Sequence, residues 1–178
     1  VRRTLPPAAA QGAPSATNAA PSVATPPPPP TPRPARGFNN QTIRMVVKAS
    51  IGGSVLRVHL SNAFGITPLV VGTAHVALRS QDSAIVPGSD RALAFNGKPG
   101  VTIPIGAEMI SDPVSLDLPK LGELAVSVYI PGDSGPADVH ALGLHTTWIS
   151  KEGDFTTAPE LADAEPARRE RQAVGDHR

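Results

Sequence analysis

The sequence predicts an all-β fold, an antiparallel β-sandwich or jelly-roll-like domain, between two end segments that do not pack. Three observations predict it. Apolar and polar residues alternate at period two through much of residues 38–150. Clusters of Gly, Pro, Asn, Asp and Ser separate those runs. No convincing helical pattern interrupts them. Neighbouring side chains of a strand point to opposite faces, so each period-two run offers one face to a core and one to solvent. About eight short strands with frequent turns suit two packed antiparallel sheets.

Residues 1–37 hold 11 of the 21 prolines, and their only charges are Arg2, Arg3, Arg33 and Arg36. Proline fixes φ and lacks an N–H, so this stretch reads as a disordered lead-in or semi-rigid linker. A ligand for proline-binding modules is the sharper reading. From Thr42 to Ser50, Ile43, Met45 and Val47 point one way and Thr42, Arg44 and Lys48 the other. In Val55 to Leu60, the residues Leu56, Val58 and Leu60 oppose Arg57 and His59. In Leu69 to Arg79, the residues Val70, Ala74, Val76 and Leu78 oppose Thr73, His75 and Arg79. In Leu124 to Ile130, the apolar Leu124, Val126, Val128 and Ile130 oppose Ser127 and Tyr129. Weaker strands are expected in Val101 to Ile105, with Pro104 at an edge or bulge, in Val114 to Leu118 and in Val139 to Ile149.

The joints follow from turn chemistry. Ile51-Gly52-Gly53-Ser54 predicts a tight hairpin between the first two strands. Ser61-Asn62-Ala63-Phe64-Gly65 ends the second. Pro87 to Asp90, Asn96 to Gly100 and Pro131 to Pro136 are turns. Of the 16 basic and 15 acidic residues, twelve lie in 151–178, and after Pro166 only Ala167, Ala173 and Val174 are apolar. That segment is expected to be a disordered linker and charged tail.

Composition narrows the function. With 178 residues, 40% of them hydrophobic, the chain supports one core. A net charge of +1 and a pI near 8.4 give no long-range field for nucleic acid or an anionic membrane. No run of about 18 apolar residues provides a transmembrane segment. The absence of cysteine excludes disulfides, thiolate metal sites and cysteine nucleophiles, and leaves the compartment open. No apolar region follows Arg2 and Arg3, so no signal peptide is expected within the chain.

Three blocks carry a family resemblance: Phe38 to Gly53 (FNNQTIRMVVKASIGG), Val58 to Gly65 (VHLSNAFG) and Ala84 to Asp90 (AIVPGSD). In this order they resemble the N-terminal region of bacterial SGNH/GDSL-family hydrolases, the secreted esterase or lipase type, from about Phe38 to Pro166. The resemblance implies a β-sandwich-like accessory domain, a secreted or periplasmic setting, and a separate flavodoxin-like catalytic domain that this chain lacks. It also implies what catalysis requires: a Ser in a Gly-Asp-Ser turn, oxyanion donors, and a His base held by an Asp three residues before it.

Gly132-Asp133-Ser134 does follow an apolar strand, but Pro131 and Gly135-Pro136 do not suit a helix opening behind a nucleophile. The positions three before the histidines hold Leu56, Gly72, Ala137, Leu142 and Val174. No Gly-x-Asn-Asp block exists. The expectation is therefore no catalytic residue, with Gly132 to Pro136 an ordinary turn. His59, His75, His140, His145 and His177 show no His-x-x-x-His pair and no supporting carboxylate cluster, so neither metal nor cofactor is expected. Ser50 to Ser54 fits neither dinucleotide nor P-loop spacing. A carbohydrate platform would draw on Tyr129, Trp148, Phe38, Phe64 and Phe95, which are few and scattered.

If the first two strands pair, Arg44, Lys48, Arg57 and His59 form one basic patch. Such a patch is ordinarily a solvated face. Its sharper reading is a docking face for the hydrolase domain or an acidic polymer. Two classes of function follow: an accessory domain of an ester hydrolase, inactive alone, or a free-standing binding module for carbohydrate or another ligand. The loss of pattern after about Pro166 further suggests a truncated gene product.

Overall fold

In the computed structural model, which describes residues 37–137 and 145–166, the chain is all-β and antiparallel throughout. Among these residues twelve strands follow one another: β1 (Gln41–Lys48), β2 (Gly53–Leu56), β3 (His59–Ser61), β4 (Leu69–Val71), β5 (Thr73–Leu78), β6 (Arg91–Ala92), β7 (Val101–Ile103), β8 (Glu108–Ile110), β9 (Val114–Leu118), β10 (Glu123–Ile130), β11 (Trp148–Glu152) and β12 (Glu165–Pro166). Six form one sheet in the order β12-β11-β1-β10-β5-β6, and the rest pair as β2-β9, β3-β8 and β4-β7. The Pro-rich lead-in, His140 and the tail from residue 167 lie outside the described residues.

The sheet is organised on β1 and β10, which pair without a slip from Gln41↔Ile130 to Lys48↔Glu123. One face carries Ile43, Ala74, Val76, Val126 and Val128 into the core, where Val71, Leu93, Phe95 and Leu116 meet them. Leu56, Val58, Leu60, Met109 and Val114 from the short ladders pack against that cluster. Alternation assigned Ile43, Leu56, Val58, Leu60, Ala74, Val76, Val126 and Val128 to the inside; Val47 and Val70, assigned there too, are 49% and 46% exposed, and Val71 is buried in place of Val70.

The opposite face departs from expectation. Thr42 and Arg44, expected to face solvent, are both 0% exposed. The cover is the segment after β11, which composition alone marked as a disordered tail. Thr42 Oγ1 donates to Gly153 O and accepts from Phe155 N. Thr156 and Leu161 are buried, and Leu161 N donates to Ser83 Oγ. Residues 151–166 therefore belong to the packed body. Alternation separates the two faces of a strand, but it does not say that the polar one stays wet; buried polar groups are tolerated once hydrogen-bonded.

Three further expectations are corrected. Gly52-Gly53 does not close a hairpin: β1 pairs with β10 and β11, while β2 pairs with β9. The chain leaves β1 with Ala49 N bonded to Gly122 O. It then crosses so close to the β9–β10 link that a Cβ on Gly52 would lie 2.7 Å from Leu118 O. The glycine permits a close crossing, not a turn. The single strand expected from Val55 to Leu60 is two, because Val58 turns aside to exchange hydrogen bonds with Ser111, sending β2 to β9 and β3 to β8. Likewise Leu69 to Arg79 divides at Gly72, whose N–H donates to Tyr129 O, so that β4 leaves for β7 and β5 stays in the main sheet.

The turn at Asn96-Gly97 is as its residues suggest. Both have positive φ, 53° and 75°, as a two-residue hairpin turn requires, and the Asp112 carboxylate accepts both their N–H groups.

Candidate functional site

The four residues of the expected basic face do not come together. Lys48 is exposed at the end of β1, opposite Glu123. Arg57 is exposed in the β2–β3 link, and His59 is exposed at the start of β3. Arg44 is enclosed: Nε donates to Ser127 Oγ at 2.7 Å, Nη1 to Ser83 O at 2.7 Å, and Nη2 to Ala158 O at 2.7 Å and Thr156 O at 3.4 Å. Burial pushes the Arg44 guanidinium below its ordinary pKa, while the charge of Asp90 acts to raise it. The patch fails because its premise, a β1–β2 pair, fails.

Arg44, Ser127 and His75 are cross-strand neighbours on one row of the sheet, and His75 Nδ1 lies 2.9 Å from Asp90 Oδ2. Ser127, His75 and Asp90 are the residue types of a hydrolytic triad. Their arrangement serves a different end. Ser127 is 2% exposed, and its hydroxyl accepts from Arg44 Nε, so it presents no nucleophile to a substrate. Nearby, Asp154 accepts from Thr73 Oγ1 at 2.6 Å and from Thr156 N and Oγ1 at 3.0 and 2.7 Å. Desolvation raises the Asp154 carboxyl, but these hydrogen bonds outweigh it and leave the group below the usual carboxylate range.

Ser134, in the Gly-Asp-Ser turn, is committed to the backbone. Its Oγ accepts from Phe38 N at 2.9 Å and donates to Gly135 O at 2.8 Å, while Ser134 N donates to Phe38 O. The serine fastens the entry of β1 to the exit of β10. Of the histidines, His59 and His145 are exposed, His75 pairs with Asp90, and His140 and His177 lie outside the described residues. Among the described residues no group of three His, Asp or Glu is placed to hold a metal ion.

The aromatics are similarly dispersed. Phe95 is buried; Tyr129 donates its hydroxyl to Asn40 Oδ1; Trp148 lies under the Arg79 guanidinium at 5.9 Å; Phe38 lines a cavity. Phe64, by contrast, is 82% exposed.

Phe64 lies in a loop tied down at Asn62, to whose surroundings the sequence assigned only the end of a strand. Asn62 is buried, and its Nδ2 faces three carbonyl oxygens: Thr67 at 2.9 Å, Ile103 at 3.1 Å and Pro104 at 3.2 Å. Its backbone N donates to Ala107 O, and its carbonyl accepts from Gly65 N and Gly106 N. One side chain thus ties the β3–β4 loop to the β7–β8 turn. Gly65 is obligatory there, because a Cβ would fall 1.8 Å from Asn62 Oδ1. The two joined loops carry Phe64, Ile66 and Ile105, with 82%, 69% and 56% of their surface in solvent. Beside them a cavity of about 270 Å³ opens between the main sheet and the β3–β4 region.

Neither a protein-family model nor a curated protein matches the sequence.

Proposed function

We propose that this chain is the accessory β-domain of an SGNH/GDSL-like ester hydrolase in a secreted or periplasmic setting, without a catalytic site of its own, and that the Phe64–Ile66–Ile105 surface docks the catalytic domain. The observation that carries the reading is an apolar surface held rigidly in water. Apolar side chains on a slack loop fold back onto the protein; these are prevented by the Asn62 hydrogen bonds and the Gly65 contact. Exposed apolar side chains gathered on two joined loops suit an interaction site. Two of these three residues' supports, Asn62 and Gly65, and Phe64 itself, lie in the block Val58 to Gly65 that resembles the family.

The test is binding of this chain to a separately produced catalytic domain, taken from coding sequence adjoining that of this chain. Binding that Phe64→Asp weakens by about tenfold or more, a change of about 1.4 kcal/mol, with the melting temperature unchanged, supports the reading. Equal binding by parent and variant, or no hydrolase domain in the adjoining sequence, overturns it. Oligosaccharide binding abolished by Phe64→Ala would establish the carbohydrate module instead.

A further inference from the structure

The cavity beside Asn62 is lined mainly by apolar side chains, with His59 and Ser61 at the surface and Asn62 and Ser134 deeper. Ile43, Val71 and Val128 form the floor, and Phe38, Leu60 and Leu69 the sides. Ile43, Val71 and Val128 belong to the buried core, whereas Phe38, Leu60 and Leu69 are only partly buried although they pack against it. Exposed lining residues, His59, Ser61 and Pro136, bring it to the surface.

The unbonded acceptor is Asn62 Oδ1. The amide orientation is fixed, because Nδ2 faces three carbonyls and an oxygen there would face only acceptors. Oδ1 accepts no hydrogen bond among the described residues. It lies against Gly65, which with Asn62 lines the cavity. No fully buried side-chain oxygen among the described residues lacks a partner, so this unbonded oxygen keeps open surface. The hydroxyl in the lining that is not exposed, that of Ser134, is bonded on both sides.

We infer that the cavity is a binding site for a medium-chain primary alcohol, with its hydrocarbon tail on the core residues and its hydroxyl donating to Asn62 Oδ1. The unbonded acceptor in the buried part of the site selects the headgroup. An acceptor oxygen there repels a carboxylate and satisfies a hydroxyl; a hydrocarbon leaves it unmet, at a cost in affinity. The cavity of about 270 Å³ has room for a hydrocarbon chain of medium length, for which octanol is the probe. This inference does not depend on the docking reading.

The experiment titrates the full chain with 1-butanol, 1-hexanol, 1-octanol, octanoate and octane, following methyl resonances of Ile43, Leu69 and Val128. Saturable shifts are expected, tightening about threefold to fourfold per added methylene, with octanol binding at least about tenfold more tightly than octanoate. Leu69→Phe fills the cavity and abolishes the shifts at Ile43 and Val128. Absence of saturable shifts with octanol overturns the site. Octanoate binding as tightly as octanol overturns the role of Asn62. Undiminished octanol binding by folded Leu69→Phe overturns the location. Should that variant not fold, the ligand series on the parent chain remains decisive. None of these outcomes bears on binding of a hydrolase domain through Phe64.

Discussion

A buried guanidinium needs oxygen acceptors for its N–H groups, and Arg44 finds them in Ser127 Oγ and the carbonyls of Ser83, Thr156 and Ala158. Truncation leaves those oxygens without their donor and opens a void beneath the covering segment. Arg44→Ala is expected to cost about 2–5 kcal/mol, a large share of the roughly 5–15 kcal/mol that holds a domain together. Arg57→Ala, in an exposed link, stays within about 0.5 kcal/mol. Urea unfolding separates the two, and coincident midpoints would mean that Arg44 holds nothing. Asp154 adds a pH dependence. Its folded carboxyl is depressed, so its stabilising effect is present above the ordinary carboxylate range and lost as pH falls through the lower folded value. Thr73→Val removes one of its donors. That variant is expected to be less stable than the parent near neutrality, with the difference shrinking as acid protonates the carboxyl in both. A difference that stays constant down to acid unfolding would exclude this linkage. The identities of Arg44 and Asp154 were plain in the sequence, but the acceptors of Arg44 and the Thr73 donor to Asp154 are about 40 to 110 residues distant along the chain, and no local pattern reports such pairings.

Elements differ in how openly the sequence declares them. The strand β10 is legible because Leu124, Val126 and Val128 recur at period two, but its register with β1 is not: local turn chemistry pointed β1 to the next strand, whereas its partner β10 lies far along the chain. The strands β6, β8 and β12 have two or three residues each, too short for any period to show. The crossing at Gly52 and the division at Gly72 were illegible for another reason: a glycine that admits a neighbouring backbone looks the same as one that makes a turn. The segment from Gly153 to Leu161 was misjudged on charge. Its charged residues lie on the outside, while Thr156 and Leu161 are buried. Amide exchange measures the consequence. Gly153, Phe155 and Leu161 donate to Asn40 O, Thr42 Oγ1 and Ser83 Oγ, and are expected to exchange as slowly as β1. Exchange at the rate of an unstructured peptide would detach this segment from the fold. The cavity and the Asn62 loop were legible in part: Ser61 to Gly65 marked a turn and a family-like block, but the bond from Asn62 to Ile103 spans 41 residues.

At the scale of the molecule, the exposed patch sets how strongly this body binds anything. Burying Phe64, Ile66 and Ile105 completely would contribute about 1.5–3 kcal/mol each. Association costs on the order of 4–15 kcal/mol in lost freedom. Even with the favourable ends of both ranges the net is about 5 kcal/mol, so the patch alone sustains at best a Kd near the millimolar range. A partner joined through a linker faces no such limit, because tethering supplies an effective concentration on the order of millimolar. The same surface that holds a linked catalytic domain in place would leave two separate copies of this chain only weakly attracted. Sedimentation equilibrium reads this directly. The weight-average mass is expected to remain that of one chain at about 10 μM and to rise toward that of two at about 1 mM. Phe64→Asp with Ile66→Asp places charges on the patch and keeps the chain monomeric across that range, with the melting temperature unchanged because both residues lie in solvent. A parent chain that stays monomeric at the upper concentration would show that these side chains do not attract one another, and the docking role would lose its physical basis. Association that persists in the double variant would place the contact elsewhere on the molecule.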